Sequence, residues 1–172
     1  MDQNLVHPLR IQPETLLELE ESLILCDTGI SHESGHIQAA QEEQMTHPDI
    51  RKHVDSNVIL SYQMRNELLK GRLQAFGKLL NEAWQCKKRV SNKVSNACCD
   101  ALYESALNNG ALGGKLLGAG GGGFFLFYVP PYRKHQLLSF LKSVGLNPQS
   151  FRFEANGLQA WTVRESKSHP EL

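Results

Sequence analysis

Apolar residues recur every three or four positions through the middle of the chain, the spacing that places them on one face of an α-helix. The first series begins after Pro48, a residue suited to the first turn of a helix, and ends near Lys70. The second series runs into the basic cluster 87–89, which suits a helix C-terminus. The apolar members of the two predicted helices are Ile50, Val54, Val58, Tyr62 and Leu69, then Leu73, Phe76, Leu80, Ala83 and Trp84.

Capping residues and prolines predict three further helices. Ser31 suits an N-cap and has Glu33 in the first turn behind it, which predicts a helix over residues 31–45. Ser95 or Asn96 can cap a helix that ends at Gly110. A fifth helix follows the proline pair 130–131 and ends before residue 145. The predicted inner positions of the last two helices are Cys98, Ala101, Leu102 and Ser105, then Leu137, Leu138, Leu141 and Val144.

Strands are predicted where apolar runs are short and bounded by turn residues. Residues 124–129 are continuously apolar and aromatic, which is typical of a buried strand, and residues 18–27 predict another. Residues 4–11 predict an edge strand or a segment leading into a sheet. Segments 150–154 and 158–163 flank Asn156-Gly157 and predict a hairpin. The fold class is therefore α+β, with helices on one face of an antiparallel sheet.

Eight of the fourteen glycines lie between Gly110 and Gly123, so the backbone has a special requirement there. Residues 118–123 match G-x-G-x-x-G, but a dinucleotide loop opens a helix and this one opens a strand. The Walker A pattern also fails, because no Ser or Thr follows Lys115. Two interpretations stay open: a phosphate or substrate loop made of backbone N–H groups, or a tight turn that lets two backbones pack closely. The loop comprises Gly118, Ala119, Gly120, Gly121, Gly122 and Gly123.

Composition narrows the function without deciding it. The chain has 172 residues and a formal net charge of zero, which gives no basic surface for nucleic acid or anionic membrane. No apolar run has transmembrane length, and the start of the chain lacks the features of a signal peptide. The four cysteines show no C-x-x-C spacing and suit free thiols in the cytoplasm. We expect one domain over residues 1–165 and a disordered tail over 166–172.

The sequence KLLGAGGGGFFLF, residues 115–127, resembles the third motif of the GHMP kinases, the superfamily of galacto-, homoserine, mevalonate and phosphomevalonate kinases. Segments 23–37, 68–96 and 100–124 also resemble the C-terminal half of the D-glycero-D-manno-heptose 7-phosphate kinases, so the similarity covers about residues 4–161. It implies a ferredoxin-like plait with extra helices. It also implies phosphoryl transfer from ATP, with Mg²⁺, to a sugar or sugar phosphate. The family's ATP loop and catalytic residues lie in an N-terminal domain, which nothing in this chain matches.

The same resemblance assigns candidate site residues. The glycine loop would brace the phosphate loop of the N-terminal domain, and Thr28, Gly29, Ser31 and His32 would form the turn that faces the sugar phosphate. At His32 the heptose kinases more often have arginine, which weakens the case for recognition of a phosphate. Lys115 could contact an anion. His32 and His36 have the spacing of zinc ligands, but no third ligand accompanies them, so no metal site is predicted.

Two functions follow as hypotheses. The chain is either the substrate-binding half of a sugar kinase, inactive alone, or a binding module that keeps the fold without catalysis. We expect self-association through an apolar face near residues 5–11 and around the loop. The cluster 87–89 should be a solvated helix end, Trp84 and Tyr103 core residues, and Asp100 a capping or ion-pair residue. Within the loop, Gly121 or Gly122 is predicted to accept alanine with little loss of stability.

Overall fold

The computed structural model describes residues 6–30, 39, 41–42, 44, 47–154 and 156–162. Its four strands form one antiparallel sheet in the order β2-β3-β1-β4. The chain order of these strands and their crossover helices is that of a ferredoxin-like plait with additional helices, so the predicted α+β class is confirmed. The elements are α1 (Pro13–Ser22), β1 (Leu23–Asp27), α2 (Pro48–Leu69), α3 (Leu73–Lys88), α4 (Ala97–Asn108), β2 (Gly113–Leu116), β3 (Phe124–Tyr128), α5 (Pro131–Ser143) and β4 (Pro148–Gln149).

Strand β3 separates two groups of buried side chains, because successive residues of a strand point to opposite faces. Phe125 and Phe127 are fully buried on one face, where they pack with residues of α3, α4 and α5 such as Trp84 and Tyr103. The other face contributes Tyr128 to a smaller group with side chains from α1 and α3. The crossover helices α4 and α5 thus cover one face, as predicted, while α1 and α3 add a second, smaller layer of burial.

The middle helices follow the sequence pattern closely. Helices α2 and α3 begin and end within a few residues of their predicted bounds. At α4, the side-chain oxygen of Asn96 accepts a hydrogen bond from the Cys99 amide at 2.9 Å, and Gly110 follows the helix with a φ of +108°. Asp100 accepts hydrogen bonds from Ser95 and Lys88, both at 3.0 Å, which confirms the ion-pair alternative for this residue, while Asn96 provides the cap.

The buried side of α4 is displaced by about one residue from the predicted one. The residues it buries are Cys99, Tyr103 and Ala106, whereas Cys98 and Ala101 are exposed. The sheet lies against the next position along the helix, so the side chain at 99 enters the core and its neighbour at 98 faces outward. Of the predicted helix 31–45, only residues 39, 41, 42 and 44 are among those described, and these four are helical.

The N-terminal predictions need two corrections. Residues 6–12 form no strand, and the predicted strand 18–27 is a strand only over Leu23–Asp27. Residues 18–22 instead complete helix α1, which Pro13 opens. The helix ends at Ser22, and the three polar residues 20–22 separate its buried Leu19 from the continuous apolar run of β1.

The predicted C-terminal hairpin was also wrong over its described part. Only Pro148 and Gln149 pair with β1, and residues 150–154 and 158–162 form no strand. Phe151 and Phe153 pack edge to face, with ring centroids 5.5 Å apart. The amide of Phe153 donates to the carboxylate of Glu20 at 2.8 Å, so this segment follows α1 instead of extending the sheet. Residues 163–172, with the predicted tail, lie outside the described residues.

Candidate functional site

Residues 117–123, called the glycine loop from here on, join β2 to β3 as the connection of an antiparallel hairpin. The amide of Leu117 donates to the carbonyl of Phe124 at 2.8 Å and closes the base of the loop. Because a strand precedes and follows it, the loop differs from a dinucleotide-binding turn, as the sequence predicted. The loop therefore presents its backbone at one end of the sheet.

The segment between α3 and α4 holds the loop from one side. The amide of Gly121 donates to the carbonyl of Val94 at 2.8 Å, and the side-chain amide of Asn96 donates to the carbonyl of Gly121 at 2.9 Å. Asn96 thus caps α4 with its oxygen and fastens the loop with its nitrogen. One side chain couples the start of this helix to the centre of the loop.

The turn after β1 holds the loop from the other side. The amide of Gly123 donates to the carbonyl of Ile30 at 2.9 Å, and the amide of Thr28 donates to the carbonyl of Gly123 at 2.8 Å. Within this turn, Gly29 has a φ of +69° and its amide donates to the Asp27 carboxylate at 3.0 Å. Two predicted site residues, Thr28 and Gly29, therefore lie directly beside the loop. Ser31, His32 and His36 lie outside the described residues.

These contacts explain why the loop needs glycine and overturn one expectation. A Cβ at Gly120 would lie 2.5 Å from the Val94 carbonyl oxygen, and a Cβ at Gly122 would overlap the Ile30 carbonyl oxygen. Gly121 has a φ of +79°, a conformation that strains any residue with a Cβ. Neither Gly121 nor Gly122 should therefore accept alanine freely. Gly118, with a φ of +68° and open space around it, has room for a side chain.

The inward hydrogen bonds favour a structural role for part of the loop. The amides of Gly121 and Gly123 are both used within the chain, so these two N–H groups do not form an anion-binding nest. Two carbonyls on the near side of the loop accept from side chains: that of Gly118 from Lys87 at 2.6 Å, and that of Ala119 from Gln41 at 2.7 Å. Contact of the loop with a second domain stays a prediction.

A cleft of about 360 Å³ lies beside the loop, between α2, α3 and β2. Its polar lining consists of side chains that can bind an anion or a hydroxyl group: Gln41, Asn57, Ser61, Lys87 and Lys115. Its apolar lining is Val54, Met64, Leu80, Ala83 and Val90. An apolar floor with a few converging polar groups is the usual composition of a small-molecule site.

Lys87 and Lys115 bring two positive charges into this cleft. Burial lowers the pKa of Lys87 from 10.5 to about 8, and repulsion from Lys115 adds to the effect. The prediction that 87–89 is a solvated helix end is therefore wrong for Lys87, which is half-buried and bonded to the glycine loop, and for Lys88, which pairs with Asp100. Lys115 lies at this cleft, where its predicted anion contact stays a prediction. No sequence signal pointed to Lys87, since 28 residues separate it from Lys115.

A second hollow, of about 330 Å³, lies between α4 and α5 and includes Thr28. Its other lining residues are Cys98, Ala101, Leu102, Ser105, Phe140, Val144 and Leu146, so the side of α4 that the sequence predicted as inner lines this hollow. Thr28 and Lys115 therefore line different hollows, and the glycine loop contacts the chain beside each. In the described ranges no three His, Cys, Asp or Glu side chains form a group that could hold a metal ion, and no helix is long and apolar enough to cross a membrane.

Comparison of the chain with known proteins shows which family it resembles. The model described as "GHMP kinases C terminal" matches residues 64–146. A D-glycero-alpha-D-manno-heptose 7-phosphate kinase from Campylobacter jejuni is 30% identical over 159 residues, which are 92% of this chain and 47% of that protein. The chain thus spans about half the length of that relative.

Two solved structures show the same fold. The D-glycero-D-manno-heptose 1-phosphate kinase from Bacteroides thetaiotaomicron is 25% identical, with a TM-score of 0.63 over 93% of this chain and 42% of that one. Mevalonate kinase of L. major, solved with R-mevalonate, is 23% identical, with a TM-score of 0.65 over 70% of this chain and 37% of that one. Over residues 64–146 the chain matches the C-terminal domain of the GHMP kinases, the family that its glycine motif indicated.

Proposed function

We propose that this chain is the substrate-binding, C-terminal half of an ATP-dependent sugar or sugar-phosphate kinase of the heptose phosphate kinase type. Joined to an N-terminal domain, it would take part in phosphoryl transfer from ATP to a sugar hydroxyl. One observation supports this most: a backbone loop, fastened at Gly121 and Gly123, lies directly beside a cleft that contains Lys87 and Lys115. A rigid loop next to a cationic cleft suits a reaction that depends on positioning and on charge stabilisation.

The donor set of this chain indicates which parts of the reaction it would serve. The groups near the loop are two ammonium groups, amide and hydroxyl side chains, and backbone carbonyls. Ammonium groups suit phosphate oxygens, whereas Mg²⁺ requires a near-octahedral set of oxygen ligands. ATP and Mg²⁺ would therefore be held chiefly by the N-terminal domain, where the metal would neutralise phosphate charge.

The residues of this chain would bind and orient the acceptor. The cleft lysines would attract the anionic group of the acceptor. The turn of Thr28, Gly29, Ser31 and His32, which the resemblance assigns to the sugar, contributes Thr28 to the second hollow, so its contact with the acceptor stays a prediction. The glycine loop would set the distance between the two domains, because its backbone is fixed at Val94 and at Ile30. A displacement of about 1 Å at a reacting centre can lower the rate about a hundredfold, which gives such a fixed loop its value.

The test begins with the coding region upstream of Met1, read for a glycine-serine phosphate loop. Protein containing that region joined to this chain is then assayed with ATP, Mg²⁺ and sugar phosphates, next to the 172-residue chain alone. We expect transfer only from the joined protein. Turnover by the chain alone would contradict the half-enzyme assignment. Absence of transfer by a folded joined protein would favour the alternative, a binding module without catalysis.

A further inference from the structure

We propose that the cleft between α2, α3 and β2 binds a phosphate monoester between the ammonium groups of Lys87 and Lys115, and that this phosphate is the one the acceptor sugar already has. The second half of the inference rests on the proposed function; the first half rests on the cleft alone. The source could in principle be a sugar phosphate or a nucleotide phosphate. We assign it to the sugar, because the hydroxyl and amide groups of Ser61 and Asn57 line the same cleft.

Charge pairing distinguishes these two lysines from others in the chain. Lys88 and Lys134 are also largely buried, and each has a carboxylate partner, Asp100 at 3.0 Å and Glu21 at 2.7 Å. Across the described ranges, neither Lys87 nor Lys115 has a carboxylate within ion-pair distance, and the cleft lining contains no acidic residue. Two neighbouring cations with no counter-ion among the described residues form a site that an external anion would neutralise.

The effect of this arrangement is visible at Lys87. Partial burial and the nearby Lys115 ammonium group lower its pKa to about 8, so the charged pair is unfavourable while the cleft is empty. A phosphate monoester has a charge of about −1.5 to −2 at neutral pH and three acceptor oxygens. Such a ligand would favour the charged form of both lysines, whereas a neutral sugar would not.

The hydrogen bonds leave suitable donors in the cleft. An ammonium group has three N–H donors, and Lys87 uses one of them on the Gly118 carbonyl at 2.6 Å, which leaves two for a ligand. Ser61 and Asn57 are one helical turn apart on α2, and the Ser61 hydroxyl donates to the Asn57 carbonyl at 2.8 Å. The serine oxygen can therefore accept from a sugar hydroxyl. The bond from Lys87 to Gly118 also places the ligand at a fixed distance from the glycine loop.

The experiment measures binding to the 172-residue chain by isothermal titration calorimetry, in buffer without phosphate. The probes are inorganic phosphate, glucose 6-phosphate, glucose and ATP. The variants are Lys87→Gln and Lys115→Gln, and the matched control is Lys78→Gln, which removes the same charge from an exposed position of α3. We expect each cleft variant to weaken glucose 6-phosphate binding about tenfold or more, the loss of one charge-assisted hydrogen bond, and the control to leave it unchanged. Glucose should not bind measurably.

Equal affinity for glucose 6-phosphate in all three variants would overturn the site. Tighter binding of ATP than of glucose 6-phosphate, lost in the same two variants, would overturn the assignment to the acceptor. Circular dichroism checks that each variant is folded, and Lys87→Arg, which keeps the charge, should retain most of the binding. Lysine-dependent phosphate binding without transfer by the joined protein would remove the kinase proposal and keep the cleft. Phosphoryl transfer by the joined protein with an unchanged KM for the sugar phosphate in both lysine variants would keep the kinase proposal and remove the cleft as the phosphate site.

Discussion

The glycine hairpin and helix α2 are built in opposite ways. The hairpin, β2 with the glycine loop and β3, completely buries Phe125, Phe127 and Tyr128 and fixes its backbone to three other parts of the chain. Helix α2 has 22 residues and buries only one of them, Leu60. Its outer face exposes half or more of the side chains of Val58, Ile59 and Tyr62. The hairpin is thus specified by contacts within the chain, whereas the outer face of α2 is left for contacts beyond it.

The largest expected difference between the two regions is in stability. Phe125→Ala would leave a cavity at the centre of the aromatic group formed with Trp84, Tyr103 and Phe127. We expect a loss of about 3–5 kcal/mol in the free energy of unfolding. Tyr62→Ala on α2 removes a side chain of similar size from an exposed position and should change it by less than about 0.5 kcal/mol. Urea denaturation of both variants checks this, and similar losses would contradict the comparison.

Within the hairpin, substitutions at two glycines of the loop should distinguish the cost of overpacking from the cost of backbone strain. At Gly122 a methyl group would overlap the Ile30 carbonyl oxygen, so Gly122→Ala should cost about 1–3 kcal/mol through overpacking. At Gly118 the space is open and the positive φ alone opposes a side chain, so Gly118→Ala should cost about 1 kcal/mol. Gly118→Asn should cost less than Gly118→Ala, because asparagine tolerates this conformation better.

The melting temperatures of Gly122→Ala, Gly118→Ala and Gly118→Asn measure this order of stability losses. In the joined kinase, Gly118→Asn then becomes the variant that tests the brace, since it alters the outer surface of the loop with little loss of stability. A drop in kcat with Gly118→Asn would support contact between the loop and the N-terminal domain. Unchanged kcat would leave the loop as a structural turn.

The sequence predicted what depends on neighbouring residues. Helices α2 to α5 and strand β3 follow from periodicity, caps and prolines, all of which act within a few positions. Helix α1 was missed because Gln12 gives it no side-chain cap and because its last residues, 18–22, were assigned to the strand that follows. The short strand β4 could not be predicted, since its two residues are extended only by pairing with β1. The glycine motif located the loop, but Lys87 joined the site only through the packing of α3 on β2.

A third expected effect is a pH dependence of the free energy of unfolding, and its source is Lys87 in the cleft between α2 and the hairpin. Lys87 binds its proton more weakly in the folded chain, with a pKa of about 8, than in the unfolded chain, with a pKa near 10.5. Between these values the unfolded chain holds more protons, so this residue makes the free energy of unfolding rise as the pH increases. Below about pH 8 both states are protonated, and the unfavourable contribution is present in full.

Lys87→Met removes that contribution, so the variant should be more stable than the parent chain at about pH 7, and the advantage should shrink toward about pH 9. Urea denaturation at the two pH values, in buffer without phosphate, measures the difference. Cys26, with a pKa raised to about 11 by burial, acts in the opposite direction, but it does so in both proteins and cancels. Lys78→Met at an exposed position should show no such trend, and a constant advantage of Lys87→Met across pH would contradict the assignment.

The smallest effect on stability should come from the outer face of α2, where the measurable change is association. Self-association was predicted near residues 5–11, where Val6 and Leu9 are exposed, and around the loop; helical spacing places a second set of exposed apolar side chains, Val58, Ile59 and Tyr62, side by side on α2. Contiguous apolar surface of this kind usually marks an interaction site. Ile59→Lys should change the free energy of unfolding by less than about 0.5 kcal/mol, because the side chain is already exposed. It should weaken self-association about tenfold or more, because association would bury a charge without a partner.

Sedimentation equilibrium of the parent chain, Ile59→Lys, Leu9→Lys and the control Gln74→Lys on α3 decides between the faces. Weaker self-association in Leu9→Lys alone would assign the contact to the N-terminal segment. Equal weakening in Gln74→Lys and Ile59→Lys would show that the effect comes from net charge and not from the α2 face.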